Sequence, residues 1–431
     1  MRILLAATPA TGHVNPILAA ARILLAASHE VIVTTASAFR DKVEATGARF
    51  VALPAGADID LTDIERQFPE RKSFPPGPDQ LAFDFQHIFI NTIPAQFAGL
   101  DAILKEFDAQ VVLADNMFGG CLPFLLGARA QRPVIAGLGV TSLMTLRSDG
   151  APLGLGLPPA GDAATVQQYA AIAAEIDAQL MTPSRRRVDE ILERLGAAPL
   201  PRPFLDSMTS LPDVFLQPAV PGFEFPCMEL PANLHFIGAL PGPTAAPLPP
   251  GLLAAVTGDR RIVLVTQGTV ANHDLGQLIG PTLTALAGRD DVFVLVATGG
   301  RPQSAIPVEV PHNALVAEFL PFEALMPYLD VLVTNGGYGA VTQAISHGVP
   351  LIAAGTTEDK MDVNARICWA GVGIDLRTDT PDIDQLRAAI DSVLEGANYR
   401  QRANALAKEY ATYDAKTHLR TLLEGAAARH G

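Results

Sequence analysis

Two stretches of the chain carry residue types able to do chemistry. In the first, ATPATGHVNPIL (Ala7–Leu18), an apolar strand gives way to Gly12 and His13 just before a helix. Asn15 can cap that helix, and Pro16 suits its first turn, where a missing backbone donor costs nothing. This spacing puts His13 in the loop at the carboxyl end of a strand, the position where open α/β sheets bind ligands. A capping or space-filling histidine fits the same loop. The second stretch is VTNGGYGAVTQAISHGVPLIAAGTTEDKMDVNARI (Val333–Ile367). A strand ends at Thr334, and Asn335, Gly336, Gly337, Tyr338 and Gly339 lead straight into a helix. Glycines let the backbone approach a ligand and aim amide donors at it, while the helix dipole adds positive potential. That is a site for a diphosphate, with no metal required.

Other chemistries lack their parts. The sequence has no G-x-G-x-x-G after its first strand, no Walker Gly-Lys pair, no G-x-S-x-G and no H-E-x-x-H. Asp58–Asp60 and Asp382–Asp384 both read DID, but neither follows a strand end. His29 and His347 read as structural, and so does His87. A net charge of −14 argues against a nucleic-acid partner. Arg185, Arg186 and Arg187, the only dense basic run, read as a solvated helix face. Cys121, Cys227 and Cys368 lie far apart, without metal-ligand spacing, as expected of buried thiols in a reducing cytoplasm. No apolar run is long enough to span a membrane, and the start shows no cleavage pattern, so the chain reads as cytoplasmic.

These residues need strands and helices to hold them. With 431 residues, nearly half of them apolar, the chain is too long for one core. The runs RILLAAT, HEVIVTT, RFVALP, VVLAD, RPVIAGLG, DVFLQP and LHFIGAL alternate with helical stretches. Such Val-, Ile- and Leu-rich runs are what strands buried on both faces look like. LPGPTAAPLPPG (Leu240–Gly251) then reads as a linker. After it the alternation resumes with RIVLVTQG, VFVLVATGG, ALVAEFL, VLVTNGG, VPLIAAG and GVGIDL. The expectation is an α/β protein of two doubly wound, Rossmann-like domains, residues 1–240 and 256–398, joined by a linker at 241–255. The last helical stretch, 399–431, is expected to cross back and brace the first domain. Ser73–Pro94 and Ala151–Thr182, poor in strand signal, are insertions of the kind that shape pockets.

Gly12-His13, the linker and the run from Thr334 through Asp359 resemble the family-1 nucleotide-sugar glycosyltransferases of GT-B fold. The likeness is greatest to the bacterial macrolide and natural-product enzymes, and it spans nearly the whole chain. The resemblance implies an inverting hexosyltransferase with His13 as general base, oriented by Asp115 at the end of VVLADN. An aspartate on one ring nitrogen fixes the tautomer and stabilises the imidazolium formed at the other. It also implies donor contacts from Gly268 and Thr269 in VTQGTVAN, from Phe319 stacked on the nucleobase, and from Gln343 on the ribose. Glu358 and Asp359 match the acidic position that holds the sugar hydroxyls. The implied donor is a UDP-sugar, with a dTDP-sugar as second choice. The implied acceptor is a small hydrophobic molecule bearing a hydroxyl, and no metal or further cofactor is called for.

Three positions depart from the family pattern. Asn335 replaces its phosphate-binding histidine, Ala340 the Ser or Thr of the same loop, and Lys360 the glutamine after the sugar-binding aspartate. Two other readings stay open at this point: a nucleotide-sugar 2-epimerase or hydrolase of the same fold, and a nucleotide-sugar-binding protein without catalysis.

Overall fold

The apolar runs form two parallel sheets. In the first, β1 (Arg2–Ala6), β2 (Glu30–Thr35), β3 (Arg49–Ala52), β4 (Val111–Asp115), β5 (Val134–Leu138), β6 (Val214–Gln217) and β7 (Leu234–Phe236) lie in the order β3-β2-β1-β4-β5-β6-β7. In the second, β8 (Arg261–Thr266), β9 (Val292–Ala297), β10 (Ala314–Ala317), β11 (Val331–Thr334), β12 (Leu351–Ala353) and β13 (Gly373–Asp375) lie in the order β10-β9-β8-β11-β12-β13. The computed structural model describes residues 1–61, 64–74, 78–242, 248–269 and 272–429. This is the double Rossmann-like architecture expected from the alternation. Every residue of β4, β5 and β9 is buried, which is why those strands show no polar–apolar alternation.

Each sheet reverses its strand order at one place, between β1 and β4 in the first and between β8 and β11 in the second. At such a switch point the two following connections leave in opposite directions and open a crevice at the strand ends. Ala6 is level with Ala114, and Thr266 with Thr334. The residues that follow these four therefore meet in pairs, and they include both chemistry-bearing stretches.

Helix α1 (Thr11–Ala26) starts earlier than the Asn15 cap implies. The amides of His13 and Val14 both donate to the Ala10 carbonyl at 2.9 Å, so His13 lies in the first turn and not in a loop. Asn15 and Pro16 are inside the helix, and no side chain caps it. The proline forfeits the bond to the carbonyl four residues back, that of exposed Gly12, where water can take its place. In the second domain, α2 (Tyr338–Ser346) and α3 (Lys360–Trp369) follow β11 and β12.

The C-terminal stretch is two helices, α4 (Ala397–Tyr410) and α5 (Ala415–Ala428), where one had been expected. Asp414 breaks the run by accepting the amides of Lys416 and Thr417 as the cap of α5. α4 keeps Ala403 and Tyr410 in the second core, and only α5 crosses, placing Leu419, Leu423 and Ala426 in the core beneath the first sheet. Within the segment read as linker, residues 243–247 lie outside the described residues. Pro250–Val256 forms a short helix whose Leu252 and Val256 are buried in the second domain.

Both DID stretches have local structural roles. Asp58 accepts the amide and hydroxyl of Ser37, and Asp382 forms a capping box with Gln385. Among the described residues no helix is long and apolar enough to cross a membrane. Leu423 is fully buried between α5 and the first sheet. Leu423→Ala is expected to destabilise the protein by about 2–5 kcal/mol, the range for a leucine truncated in a packed core, read from urea unfolding.

Candidate active site

At the first switch point a carboxylate is held without any exposure to water. Asp115, the last residue of β4, accepts the Thr8 amide (2.5 Å) and hydroxyl (3.2 Å), the Met117 amide (2.9 Å) and Nδ1 of His13 (2.8 Å). Thr8 follows β1, so both strands flanking the reversal fix this one carboxylate. With Asp115 ionised, the proton between the two side chains sits on Nδ1 of His13. Nε2 then presents its lone pair, with no hydrogen-bond partner among the described residues, on a side chain 13% exposed.

The charges around His13 come from both domains. Burial disfavours the imidazolium, but the charge and hydrogen bond of Asp115, and then the charges of Asp359 and Glu358, outweigh it. The pKa is held above 6.5. Asp359 feels His13 in return, which places the start of α3 in the same electrostatic neighbourhood as that imidazole. Burial pushes the Asp359 carboxyl up to about 6, with Lys360 opposing and Glu358 adding to the shift. Its Oδ2 is buried with no hydrogen-bond partner among the described residues. It stands at the cap position of α3, yet does not cap that helix. An acid so placed is available to hydroxyl donors. Glu358 is exposed, has a left-handed backbone (φ 57°) and pairs with the buried Lys360 ammonium.

At the second switch point the helix start is open. Gly337 is the cap residue of α2 and lends no side chain, and a Cβ at Gly337 or Gly339 would meet nothing within 4 Å. The first-turn amides of α2 therefore face free space. Gly336 must be glycine: its φ is 96°, and a Cβ there would lie 2.0 Å from Oδ1 of Asn364. Opposite, Gly268 (φ 69°) turns the chain after β8, and Thr269 is exposed beside it. The Phe319 ring, 68% exposed, lies against Gly300.

Residues 282–423 match the family described as the erythromycin biosynthesis protein CIII-like C-terminal domain. Over 425 residues the chain is 37% identical to UDP-glycosyltransferase 2 of Phaeomoniella chlamydospora, covering 96% of this chain and 93% of that one. The 4'-demethylrebeccamycin synthase of Lentzea aerocolonigenes is 35% identical over 425 residues, 98% of this chain and 99% of its own. The chain belongs to the family-1 glycosyltransferases. Among solved structures, CalG4, the calicheamicin glycosyltransferase, superposes with a TM-score of 0.73 at 19% identity, covering 99% of this chain and 98% of that one. The protein is thus a sugar-transferring enzyme of GT-B fold with a nucleotide sugar as its donor.

Three side chains assigned to the donor in this glycosyltransferase are engaged elsewhere. The Tyr338 ring is buried, and its hydroxyl accepts Nε2 of Gln217 from the first domain at 2.6 Å, so only its backbone amide stands at the helix start. Nδ2 of Asn335 donates to the Gln267 carbonyl at 2.6 Å, tying the two switch-point turns together. Nε2 of Gln343 donates to Glu323 at 2.5 Å, leaving its amide oxygen for a ligand.

Phe89 was not singled out from sequence. Its ring centroid lies 6.0 Å from that of His13, and Phe85 and Phe204 continue the apolar contact away from the base. A π turn over Phe85–Ile90 sets this phase, and such turns collect at functional sites. The only signal in the sequence was the density of aromatic residues in a segment without strands.

Because the folded chain binds the His13 proton more tightly than the unfolded one, this pair adds stability in full below pH 6.5. That contribution is lost as pH rises through the higher folded value. Asp115→Asn is expected to lower the His13 pKa, as read by NMR titration of its ring protons. An unchanged pKa would mean that Asp115 does not set the charge of His13.

Proposed function

We propose that the enzyme is an inverting glycosyltransferase that moves a hexose from a UDP-sugar to a hydroxyl of a small hydrophobic acceptor. The observation carrying this reading is the His13–Asp115 pair, with its free Nε2 and with Asp359 acting on it from the other domain. A binding protein without catalysis has no use for a base fixed by a carboxylate that three further donors hold.

In this reading Nε2 of His13 takes the proton of the acceptor hydroxyl as its oxygen attacks the anomeric carbon. The bond from that carbon to the diphosphate breaks on the opposite face, so the configuration inverts. Asp115 stabilises the imidazolium. The leaving diphosphate is held by the amides at Gly337–Gly339 and by Thr269, donors aimed in advance at the developing charge, while the Gly336 amide is taken by the Thr334 hydroxyl. Among the described residues no three His, Cys, Asp or Glu side chains group so as to hold a metal ion, and we propose that none takes part. Phe319 offers a face to the base, the Gln343 oxygen can accept from the ribose, and Asp359 accepts from the sugar, with Glu358 beside it. A dTDP-sugar is the second choice of donor. Phe89 and the rings behind it give the acceptor an apolar wall. Three unpaired cysteines suit a cytoplasmic setting.

His13→Ala is expected to lower turnover by roughly 10²–10⁴-fold, the contribution of a general base, while calorimetry finds UDP affinity retained. Turnover that survives while UDP affinity falls would overturn the assignment, and NMR of the product anomer tests inversion directly.

Each hydrogen bond from a hydroxyl to a charged acceptor contributes on the order of 1.5–3 kcal/mol. Asp359→Ala should therefore weaken UDP-glucose binding strongly and leave free UDP almost untouched. Affinities for both ligands unchanged from those of the parent would move the sugar contact to Glu358.

A further inference from the structure

Beyond Asp359, the same helix reaches into the first domain. Asp362, in the first turn of α3, is 7% exposed, and its carboxylate is shared between two amides of the other domain. Oδ2 accepts the Gly154 amide at 2.7 Å and Oδ1 the Gly156 amide at 2.8 Å. Both glycines are left-handed, with φ of 89° and 59°. A Cβ at Gly156 would lie 2.5 Å from the Met361 carbonyl oxygen, so the turn sits directly on the start of α3. Successive amides turned inward in this way form a concave anion receptor.

The turn is already held within its own domain. The Arg147 guanidinium, paired with Asp149, donates to the carbonyls of Leu157 (2.6 Å) and Pro158 (3.0 Å). Asp149 in turn accepts the Ala160 amide at 3.0 Å. One helical turn beyond Asp362, Arg366 pairs with Glu224 at 2.7 Å and donates to the Asp362 carbonyl at 2.9 Å. The Phe225 ring lies beneath both guanidinium groups, 4.9 Å from Arg147 and 4.5 Å from Arg366. The receptor is thus held within its own domain, and the Arg366–Glu224 pair crosses between the domains one turn along the same helix.

We propose that Asp362 is a positioning residue for sugar transfer: by binding Gly154 and Gly156 it latches the first domain onto α3 and sets the separation between Asp359 and His13. The role in transfer rests on the reading of His13 and Asp359 given above, whereas the latch itself concerns only how the domains are held. The acceptor oxygen, held by the base, attacks the anomeric carbon when the two are about 3–3.5 Å apart and aligned, and a displacement of about 1 Å costs on the order of 10²-fold. Asp362 touches neither. Its effect is carried by the helix it shares with Asp359.

The test compares Asp362→Ala with Gly156→Ala, which strains the turn and drives a methyl against Met361 without altering the second domain. Each is expected to lower kcat on the order of 10²-fold while UDP affinity stays within about twofold. The double variant should be no slower than the slower single, since both break one contact. The acid limb of the pH profile should move down, because the Asp359 and Glu358 charges act less on His13. Small-angle scattering should show a larger radius of gyration than in the parent. A kcat within about twofold of the parent, a parallel loss of UDP affinity, or unchanged scattering in both variants overturns the latch. If Asp362→Ala does not fold, Gly156→Ala decides by the same criteria. A parent chain that transfers no sugar overturns the reading of His13 instead, and the scattering still decides whether the latch exists.

Discussion

The carboxylate of Asp115 has no exposed surface, and four donors converge on it. An unpaired buried charge would cost several kcal/mol and would take up a proton instead. The Thr8 contacts come from the segment after β1, the Met117 amide from the turn after β4, and the fourth donor from the first turn of α1. The reversal of strand order between β1 and β4 is therefore not only where a crevice opens. There the segment after β1, the turn after β4 and the start of α1 all reach a single side chain. The orientation of His13 follows from it.

The second domain uses the same topology differently. Among the described residues at its switch point, the turns are joined by a neutral side chain and not by a buried carboxylate. The Asn335 amide joins the two turns, and the glycines leave the α2 amides open. One switch point thus holds a proton acceptor in fixed orientation, and the other offers fixed donors to an anion. In the proposed transfer, where a hydroxyl loses a proton and a diphosphate leaves, these would be the two ends.

The strands were legible because burial on both faces forces continuous apolar runs, a signal that needs no knowledge of partners. The glycine turn before α2 was legible for a similar reason, since the local backbone demands that residue type. The start of α1 was misplaced because capping rules weigh Asn15 and Pro16, whereas the Ala10 carbonyl, five residues before Asn15, already accepts two amides. Tyr338 read as a donor residue by position. Its hydroxyl pairs with Gln217, 121 residues away in sequence, and no local spacing encodes that. Asp115 emerged only through family resemblance, because a strand-end aspartate looks the same whether it caps a helix or holds a histidine. Phe89 depends on a π turn, which shifts the phase of the helix that periodicity assumes.

A site divided between two domains is only as well defined as the elements that cross between them. Here the crossings differ in kind. α5 returns to bury leucines under the first sheet, while Ala219, Val220 and Phe223, just after β6, enter the second core. These exchanges are apolar, and they fix which faces meet without fixing orientation closely. The polar crossings do the latter, since hydrogen bonds at Tyr338, Arg366 and Asp362 have both length and direction. Two of those residues, Asp362 and Arg366, lie on α3, the helix that begins at Asp359. The acid that acts on His13 from across the domain boundary is thus carried by the element most firmly tied to the opposite side, and the electrostatic coupling and the mechanical coupling run through the same helix.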